Sequence, residues 1–282
     1  LEAGNIDKDI FQKLSKQFDE PIIDLSMIPT SLVCSLVKDQ CTVALGGDGG
    51  DELFGGYNYY RRSAFLKFYF SWISKYLRIP LSKIISRLLH HDSKGMNWIQ
   101  YFGKDFIEDI DLVLRKFDHY QMNTLFKNLF KDQYILNENF LIIDKKDNDL
   151  QSTLTKMDFK NFLPNDILVK TDRASMMHSL EVRAPFLDKN MIEFAYKEVP
   201  SDAKFSHKNT KIFLKDFAKK ILPPNFDFNR KQGFEFPLHD LLTSGPIRNF
   251  FEEVLLFDCF LLLNPIFLSR INKKLLQILK EN

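Results

Sequence analysis

Apolar residues recur at helical spacing along most of this chain, and one short segment is typical of a buried strand. A first helix is predicted over residues 7–18, where Pro21 stops it, and a second over residues 29–38. The apolar segment at residues 41–45, Cys-Thr-Val-Ala-Leu, predicts a strand buried in a parallel sheet. This order of elements predicts an α/β fold.

Helical spacing continues after the strand and predicts a mostly helical remainder. The predicted helices cover residues 57–75, 81–90, 105–117, 125–130, 166–179, 190–196, 210–220 and 265–279. A polar stretch at residues 144–151 is predicted to be an exposed connection. The chain shows no internal repeat and no low-complexity segment.

A glycine-rich loop follows the predicted strand. Residues 43–60, VALGGDGGDELFGGYNYY, hold six of the chain's eleven glycines. An ordinary turn needs one or two glycines, so the loop is expected to bring its backbone close to a ligand. At the carboxyl end of a parallel strand, backbone N–H groups and the start of the next helix suit a phosphate. Nucleotides are the usual ligands of such a loop.

Acidic residues in this loop, Asp48, Asp51 and Glu52, qualify that interpretation. Carboxylates repel phosphate unless a divalent cation lies between them. Mg²⁺, held by one or two carboxylates and by phosphate oxygens, reconciles the two features. The alternative is that Asp48 or Asp51 only caps the helix that starts near Glu52.

Residues 163–188, LPNDILVKTDRASMMHSLEVRAPFLD, form a second dense motif. Asp166 is predicted to cap a helix, whose intervening charged residues would by themselves indicate a solvated face. Glu181 and Arg183 are predicted to be an internal ion pair. His178 is expected to be a satisfied polar residue rather than a metal ligand.

Composition narrows the classes of function. The chain has 282 residues, 45% of them apolar, which supports a large core, and a formal net charge of +2, which does not favour nucleic acid as a partner. Charged residues interrupt every long apolar run, so no membrane span is predicted. The three cysteines show no C-x-x-C pattern and indicate a reducing, cytoplasmic location without disulfides or structural zinc.

Three motifs follow one another along the chain: ALGGDGGDELFGGY, LPNDILVKTDRASMMHSLEVRAPFLD and NRKQGF. In this order they resemble the synthetase domain of the asparagine synthetase (glutamine-hydrolysing) family. DEPIIDLSMIPTSLV resembles the segment that precedes the glycine loop in that family. The resemblance is clearest over residues 7–242. Residues 1–282 are therefore interpreted as one partial synthetase domain, in which residues 243–282 form a C-terminal helical extension.

The resemblance implies a fold and a reaction. The fold is an adenine-nucleotide alpha hydrolase-like (ATP-pyrophosphatase) α/β domain, here mostly helical with a remnant of the parallel sheet. ATP with Mg²⁺ activates the side-chain carboxylate of aspartate, or of a related acid, as an acyl-adenylate and releases pyrophosphate. Ammonia, delivered from a glutaminase domain or taken up free, then displaces AMP. The resemblance leaves open whether two copies of the chain form a homodimer.

The resemblance also implies roles for single residues. Asp51 matches the Mg²⁺-binding carboxylate. Asp48 matches an acidic position of the acyl-adenylate site, where it orients the substrate or accepts a proton from ammonia; the alternative is a hydrogen-bond acceptor that shapes the loop. Lys231 matches the lysine that contacts the phosphates and the developing charge, and the alternative is a surface lysine.

Five further residues are assigned to cofactor binding. Gly47, Gly49 and Gly50 would let the backbone approach phosphate. Lys170 and Asp172 lie in the motif VKTDRASM, which borders the active cleft in the family.

Two departures from the family change the expectation for this chain. Gly46 stands where members typically carry serine, so a hydroxyl that could bond the adenylate is missing. The Ser-Gly-Gly-x-Asp-Ser pyrophosphatase loop and the glutaminase domain do not occur in the sequence. The chain is therefore expected to be a fragment that binds MgATP weakly or not at all and that does not complete the reaction by itself. Amidation of another carboxylate and a non-catalytic scaffold remain as alternative functions.

Overall fold

The fold is described from a computed structural model, which covers residues 8–18, 24–89, 95–107, 109, 149–228 and 248–249. Helices make up most of these ranges. They are α1 (Lys8–Gln17), α2 (Met27–Lys38), α3 (Gly50–Phe54), α4 (Asn58–Phe70), α5 (Lys75–Leu88), α6 (Met96–Phe102), α7 (Leu150–Lys160), α8 (Leu168–Met176), α9 (Lys189–Lys197), α10 (Ser201–Lys204) and α11 (Ile212–Ala218). A π-helical turn precedes α8 at Leu163–Ile167, and a 3₁₀ turn precedes α9 at Pro185–Leu187.

Two strands, β1 (Val43–Leu45) and β2 (Glu181–Arg183), form a parallel sheet within the described ranges. Val43 pairs with Glu181, Ala44 with Val182 and Leu45 with Arg183. Parallel pairing requires a crossover connection, and here the residues between the two strands supply it. The predicted α/β class is thus confirmed in its coarse form, as a mostly helical fold with a small parallel sheet.

The strand predicted at residues 41–45 exists as β1, but its predicted burial is wrong. Val43 is 40% exposed and Leu45 is 76% exposed. Only Ala44, on the opposite side of the pleat, is partly covered. The reason is that the described helices do not cover both faces of the two-stranded sheet, as they would in a fully buried parallel sheet.

Several predicted helices are confirmed, and two have wrong boundaries. Helices α1, α2, α9 and α11 lie where helical spacing predicted them. The helix predicted over 57–75 ends at Phe70, because the backbone turns before Ser74 caps α5 by accepting from the Tyr76 N–H. The helix predicted over 81–90 begins earlier, at Lys75, and includes Pro80.

Helix α7 was missed, because its first residues were interpreted as part of an exposed polar connection. Asp149 caps the helix by accepting from the Ser152 N–H at 2.9 Å, and Leu150 is only 1% exposed. That prediction is therefore wrong at its C-terminal end. Residues 144–148 and the helices predicted at 125–130 and 265–279 lie outside the described residues, and of the predicted helix 105–117 the described part is a turn.

The core holds the loop-bearing helix α3 in place. Leu53 and Phe54 of α3 are fully buried and pack with Ala195 and Val199 from α9 and its C-terminal end. A second, aromatic cluster joins α4 to α7 and includes Tyr60, which stacks on Phe205 with ring centroids 5.0 Å apart. Burying such large side chains stabilises the fold by about 2 kcal/mol each. The glycine loop is therefore attached to a rigid element.

None of the helices in the described ranges is both long and apolar enough to cross a lipid bilayer.

Candidate functional site

The glycine loop runs from the carboxyl end of β1 into the first turn of α3. The Gly46 N–H donates to the Arg183 carbonyl at 2.7 Å, which extends the strand pairing by one bond. Gly49 then adopts φ +88° at the N-cap of α3, and Asp51 follows in the first turn. The helix is only five residues long, so the loop's own backbone and side chains define the site.

The loop glycines are glycine for different reasons. A Cβ on Gly49 would lie 2.3 Å from Leu187 Cδ2, and one on Gly50 would lie 3.3 Å from the Phe186 ring. A Cβ on Gly47 would meet no atom within 4 Å. Close packing against the 3₁₀ turn thus explains Gly49 and Gly50, while Gly47 faces open space. The approach of phosphate to these three glycines remains a prediction. Of the three, Gly47 is the one with free space beside its Cα.

Gly49→Ala should destabilise the protein by about 2 kcal/mol or more, because alanine is strained at positive φ and its methyl group would collide with Leu187. Urea unfolding would measure the loss. Gly47→Ala is the matched control, since its methyl group meets nothing and the change should stay within about 1 kcal/mol, with a sign that favours stability. Equal losses in both variants would contradict this explanation of Gly49.

Asp48 is half-buried between the strand and α3. A Cβ on Gly46 would lie 3.6 Å from Asp48 Oδ2 and 3.0 Å from Val182 Cγ1. A serine at position 46 would therefore crowd Val182 and place its hydroxyl beside the Asp48 carboxylate. The serine that the resemblance predicts at this position would thus lie beside the carboxylate that is predicted to belong to the acyl-adenylate site.

Lys211 contacts Asp51 and was not identified by the sequence reasoning. Its Nζ lies 2.7 Å from Asp51 Oδ1, and both side chains are partly exposed. Lys211 adopts a left-handed backbone, φ 51° and ψ 40°, and its N–H donates to the Gly55 carbonyl at 3.2 Å. It lies in an ordinary polar segment, SHKNTKIF, and no local pattern indicates a contact with a residue 160 positions earlier.

Two buried carboxyl groups lie beneath the loop. Glu52, next to Asp51, accepts a hydrogen bond from the Tyr57 hydroxyl. Asp158 of α7 accepts from the hydroxyls of Tyr59 and Tyr60. Burial raises the pKa of Glu52, and burial together with the nearby Glu52 charge raises the pKa of Asp158 well above its ordinary value.

Lys170 joins α8 to the start of α2. Its ammonium donates to Asp24 Oδ2 at 2.9 Å and to Ser26 Oγ at 2.8 Å. Burial works against ionisation of Asp24, but the bonds from Lys170 and from the Ser26 N–H prevail and lower the pKa of Asp24. The contact joins the segment DEPIIDLSMIPTSLV to the motif VKTDRASM. Cofactor binding by Lys170 remains a prediction.

The other predicted site residues are placed as follows. Asp172 is exposed on α8, and its assignment to cofactor binding stays a prediction. Lys231 lies outside the described residues. Within the described part, Asp48 and Asp51 lie in one segment, and no hydrogen bond or ion pair joins either of them to Lys170 or Asp172.

Three smaller predictions in the second motif have mixed outcomes. Asp166 does not cap a helix, because the π-helical turn continues directly into α8 and places it inside the helical run. His178 is a satisfied polar residue, as predicted, since its Nε2 lies 2.8 Å from Ser31 Oγ. Arg183 and Glu181 pair at 2.8 Å, but the pair is exposed rather than internal, because both side chains leave β2 on its open face.

The donor set determines what metal the loop could hold. No three His, Cys, Asp or Glu side chains come together as ligands among the residues that the structure describes. Asp51 is a single, partly exposed carboxylate with an ammonium beside it. This set fits Mg²⁺ that arrives with phosphate, since Mg²⁺ is commonly bound through one or two carboxylates, substrate phosphates and water. It does not fit a closed structural metal site.

Comparison with known proteins identifies the class to which this loop and fold belong. The asparagine synthase family model matches residues 5–265, so the chain belongs to this family. Asparagine synthetase [glutamine-hydrolyzing] 1 of Bacillus subtilis is 31% identical over 261 residues, which cover 86% of this chain and 38% of that protein. A putative asparagine synthetase [glutamine-hydrolyzing] of Mycobacterium tuberculosis is 29% identical over 230 residues, 81% of this chain and 35% of that protein.

The chain thus spans well under half the length of these two relatives. No solved structure matches it. The predicted family is confirmed, and Asp48, Asp51 and the buried Glu52 lie in the loop motif on which the resemblance was recognised.

Proposed function

We propose that this chain forms the synthetase part of an enzyme that converts aspartate to asparagine with ATP, Mg²⁺ and ammonia. The observation that carries the proposal is the loop itself: an open backbone at Gly47, a carboxylate at Asp51 and an ammonium at Lys211 converge at the carboxyl end of a parallel strand. Ligands of open α/β sheets bind at that edge. The names of the relatives support the same activity.

In the proposed reaction, a side-chain carboxylate oxygen of aspartate attacks the α-phosphorus of ATP. The bond to the β-phosphate oxygen breaks, and pyrophosphate leaves with its electron pair. Ammonia then attacks the acyl carbon, loses a proton, and displaces AMP. Mg²⁺ at Asp51 would neutralise charge on the leaving phosphates.

The chain's own residues have separate parts in this proposal. Asp51 holds the metal, and Asp48 orients the acyl group or accepts the proton from ammonia. Gly47 presents its backbone to phosphate, and Lys231 stabilises the charge that develops on the intermediate. The buried α3 fixes Asp51 relative to the strand, so the carboxylate acts from a rigid element.

Pyrophosphate release tests the function. The protein, expressed from its complete reading frame, would be assayed with MgATP and ammonium, with and without aspartate. Aspartate-dependent release with asparagine as product is the expected result. Release that does not depend on aspartate would redirect the proposal to another acceptor acid, such as a sugar acid or a β-lactam precursor. No release from the folded protein would favour the non-catalytic scaffold.

The same assay identifies the nitrogen source. Replacing ammonium by glutamine should sustain release if the protein includes or recruits a glutaminase domain. The names of the two relatives describe them as glutamine-hydrolyzing. A glutamine-independent, ammonium-dependent protein would retain the synthetase reaction and use free ammonia.

A further inference from the structure

Helix α5 carries an apolar stripe that is turned to solvent. Four large aliphatic side chains recur at a spacing of three or four residues and therefore line one side of the helix: Leu77, Leu81, Ile84 and Leu88. All four are exposed, and Leu88 is 80% exposed. From Leu77 to Leu88 the stripe extends for about 16 Å along the helix axis. A continuous exposed apolar surface of this kind is typical of an interaction site.

The side of α5 that packs on α6 fixes this orientation. Arg78 is buried and donates to the Phe102 carbonyl at 2.8 Å and to the Lys104 carbonyl at 3.0 Å. Ser82, also buried, donates to the Ile99 carbonyl at 2.8 Å. A rotation of the helix that covered the stripe would break these hydrogen bonds and leave a guanidinium group without them. The stripe is therefore held outward.

Two aromatic residues lie at the N-terminal end of α5. Trp72 is 80% exposed and Tyr76 is 78% exposed. The Trp72 indole N–H donates to the Tyr69 carbonyl at 2.6 Å, so its polar edge is bonded while most of the ring faces solvent. Trp and Tyr rings favour the headgroup level of a lipid bilayer, because one part of the ring contacts lipid and another part contacts water.

The segment that carries the stripe is strongly basic. Residues 53–91 contain seven Lys and Arg residues and no Asp or Glu, although the formal net charge of the whole chain is only +2. Lys75, Lys83 and Arg87 are exposed on α5 itself. Lys83 and Arg87 are four residues apart and therefore line one side of the helix, next to the stripe. This charge attracts an anionic surface and repels a second copy of the same helix face.

The aliphatic side chains favour a lipid surface over the other anionic partners. The bases of a nucleic acid stack on aromatic rings, and leucine and isoleucine offer no such platform. An acidic protein would need a groove shaped to receive this helix. A bilayer takes up an apolar stripe with basic residues beside it and needs no matching shape.

We propose that α5, together with the turn at Trp72, is a membrane-docking surface for bilayers that contain anionic phospholipids. The stripe enters the headgroup region, and Lys83 and Arg87 contact the lipid phosphates. The helix lies on the bilayer and does not cross it. The proposal is independent of the reaction proposed above.

Vesicle binding tests the proposal in the protein expressed from its complete reading frame. Co-sedimentation would compare vesicles of phosphatidylcholine alone with vesicles of phosphatidylcholine and phosphatidylglycerol. Binding to the anionic vesicles should be about tenfold or more tighter, and high salt should reduce the difference. The tryptophan fluorescence should shift to shorter wavelength on binding, and Trp72→Phe should remove most of that shift.

Two pairs of substitutions at exposed positions separate the apolar and the basic contributions. Leu77→Gln with Ile84→Gln should weaken binding by about tenfold or more, because two apolar side chains no longer enter the bilayer. Lys83→Gln with Arg87→Gln should weaken binding to anionic vesicles by about thirtyfold and leave binding to neutral vesicles unchanged. Melting temperatures would confirm that both variants are folded.

Matched control pairs lie on other helices. Phe217→Gln with Ile221→Gln removes two exposed apolar side chains at α11 and at its C-terminal end, and Lys189→Gln with Lys197→Gln removes two exposed lysines of α9. Neither control should change vesicle binding.

Three results would overturn the proposal. The first is that the wild-type protein binds neither kind of vesicle. The second is that both α5 pairs bind vesicles as the wild type does. The third is that the apolar pair changes only the oligomeric state measured by light scattering, which would make the stripe an interface between copies of the chain.

Discussion

Asp51→Asn should lower pyrophosphate release by roughly a hundredfold or more in the protein expressed from its complete reading frame, while the protein stays folded. Asparagine keeps the size of the side chain but removes the charge that would hold Mg²⁺ against the phosphates. The ion pair to Lys211 is partly exposed, so its loss should cost less than about 1 kcal/mol of stability. Release rate and melting temperature would be measured on the same preparations.

Glu193→Gln is the control for this substitution. It also neutralises a carboxylate that is 2.7 Å from a lysine ammonium, but on the exposed surface of α9. Its release rate should match that of the wild type. A folded Asp51→Asn variant with wild-type release at saturating Mg²⁺ would refute the assignment of the metal to Asp51.

The loop was predictable from sequence because its signals are local. Dense glycines after an apolar segment indicated a backbone that approaches a ligand closely. The structure shows a close approach at Gly49, which has a positive φ and packs against Leu187, while the approach to a ligand stays a prediction. The acids beside it lie in the same stretch, so their proximity followed from chain connectivity. The family assignment rested on the same local motifs and is confirmed.

The contacts that complete the site were not predictable in this way. Lys211 reaches Asp51, and Lys170 reaches Asp24, across distances in sequence that no periodicity encodes. The three-residue strand β2 is too short to show alternation, and its pairing with β1 is a tertiary outcome. Local sequence patterns therefore identified the loop and its carboxylates. The lysines that contact such carboxylates are brought to them by the tertiary fold.

Asp158 is another residue whose contacts were not predictable from its neighbours in sequence. Its local sequence, KMDFK, indicates only a polar position on a helix. In the structure it is fully buried, and it accepts from two tyrosine hydroxyls. Burial and the Glu52 charge raise its pKa, so the folded protein keeps a proton that the unfolded chain releases above about pH 4. The unfolded state therefore binds fewer protons than the folded state over that range.

The stability should consequently fall as the pH rises, by about 1.4 kcal/mol per pH unit for this group, until the pH reaches the raised pKa. Asp158→Asn removes the ionisable group and should flatten that decline. The variant should also carry a constant loss of about 1–3 kcal/mol, because the amide group replaces Oδ1, which has no hydrogen-bond partner. The stability of the wild type relative to the variant should therefore fall as the pH rises from 5, until the variant is the more stable of the two.

Urea unfolding at intervals from pH 5 to pH 8 would measure both effects. Asp202→Asn, at an exposed position of α10, should leave the wild-type slope unchanged. Glu52 remains in every variant, so the slope is compared first between the wild type and Asp202→Asn, in which the Glu52–Asp158 pair is intact. A wild-type slope retained in Asp158→Asn would mean that Asp158 is ionised in the fold, with the tyrosine hydroxyls offsetting the cost of its burial.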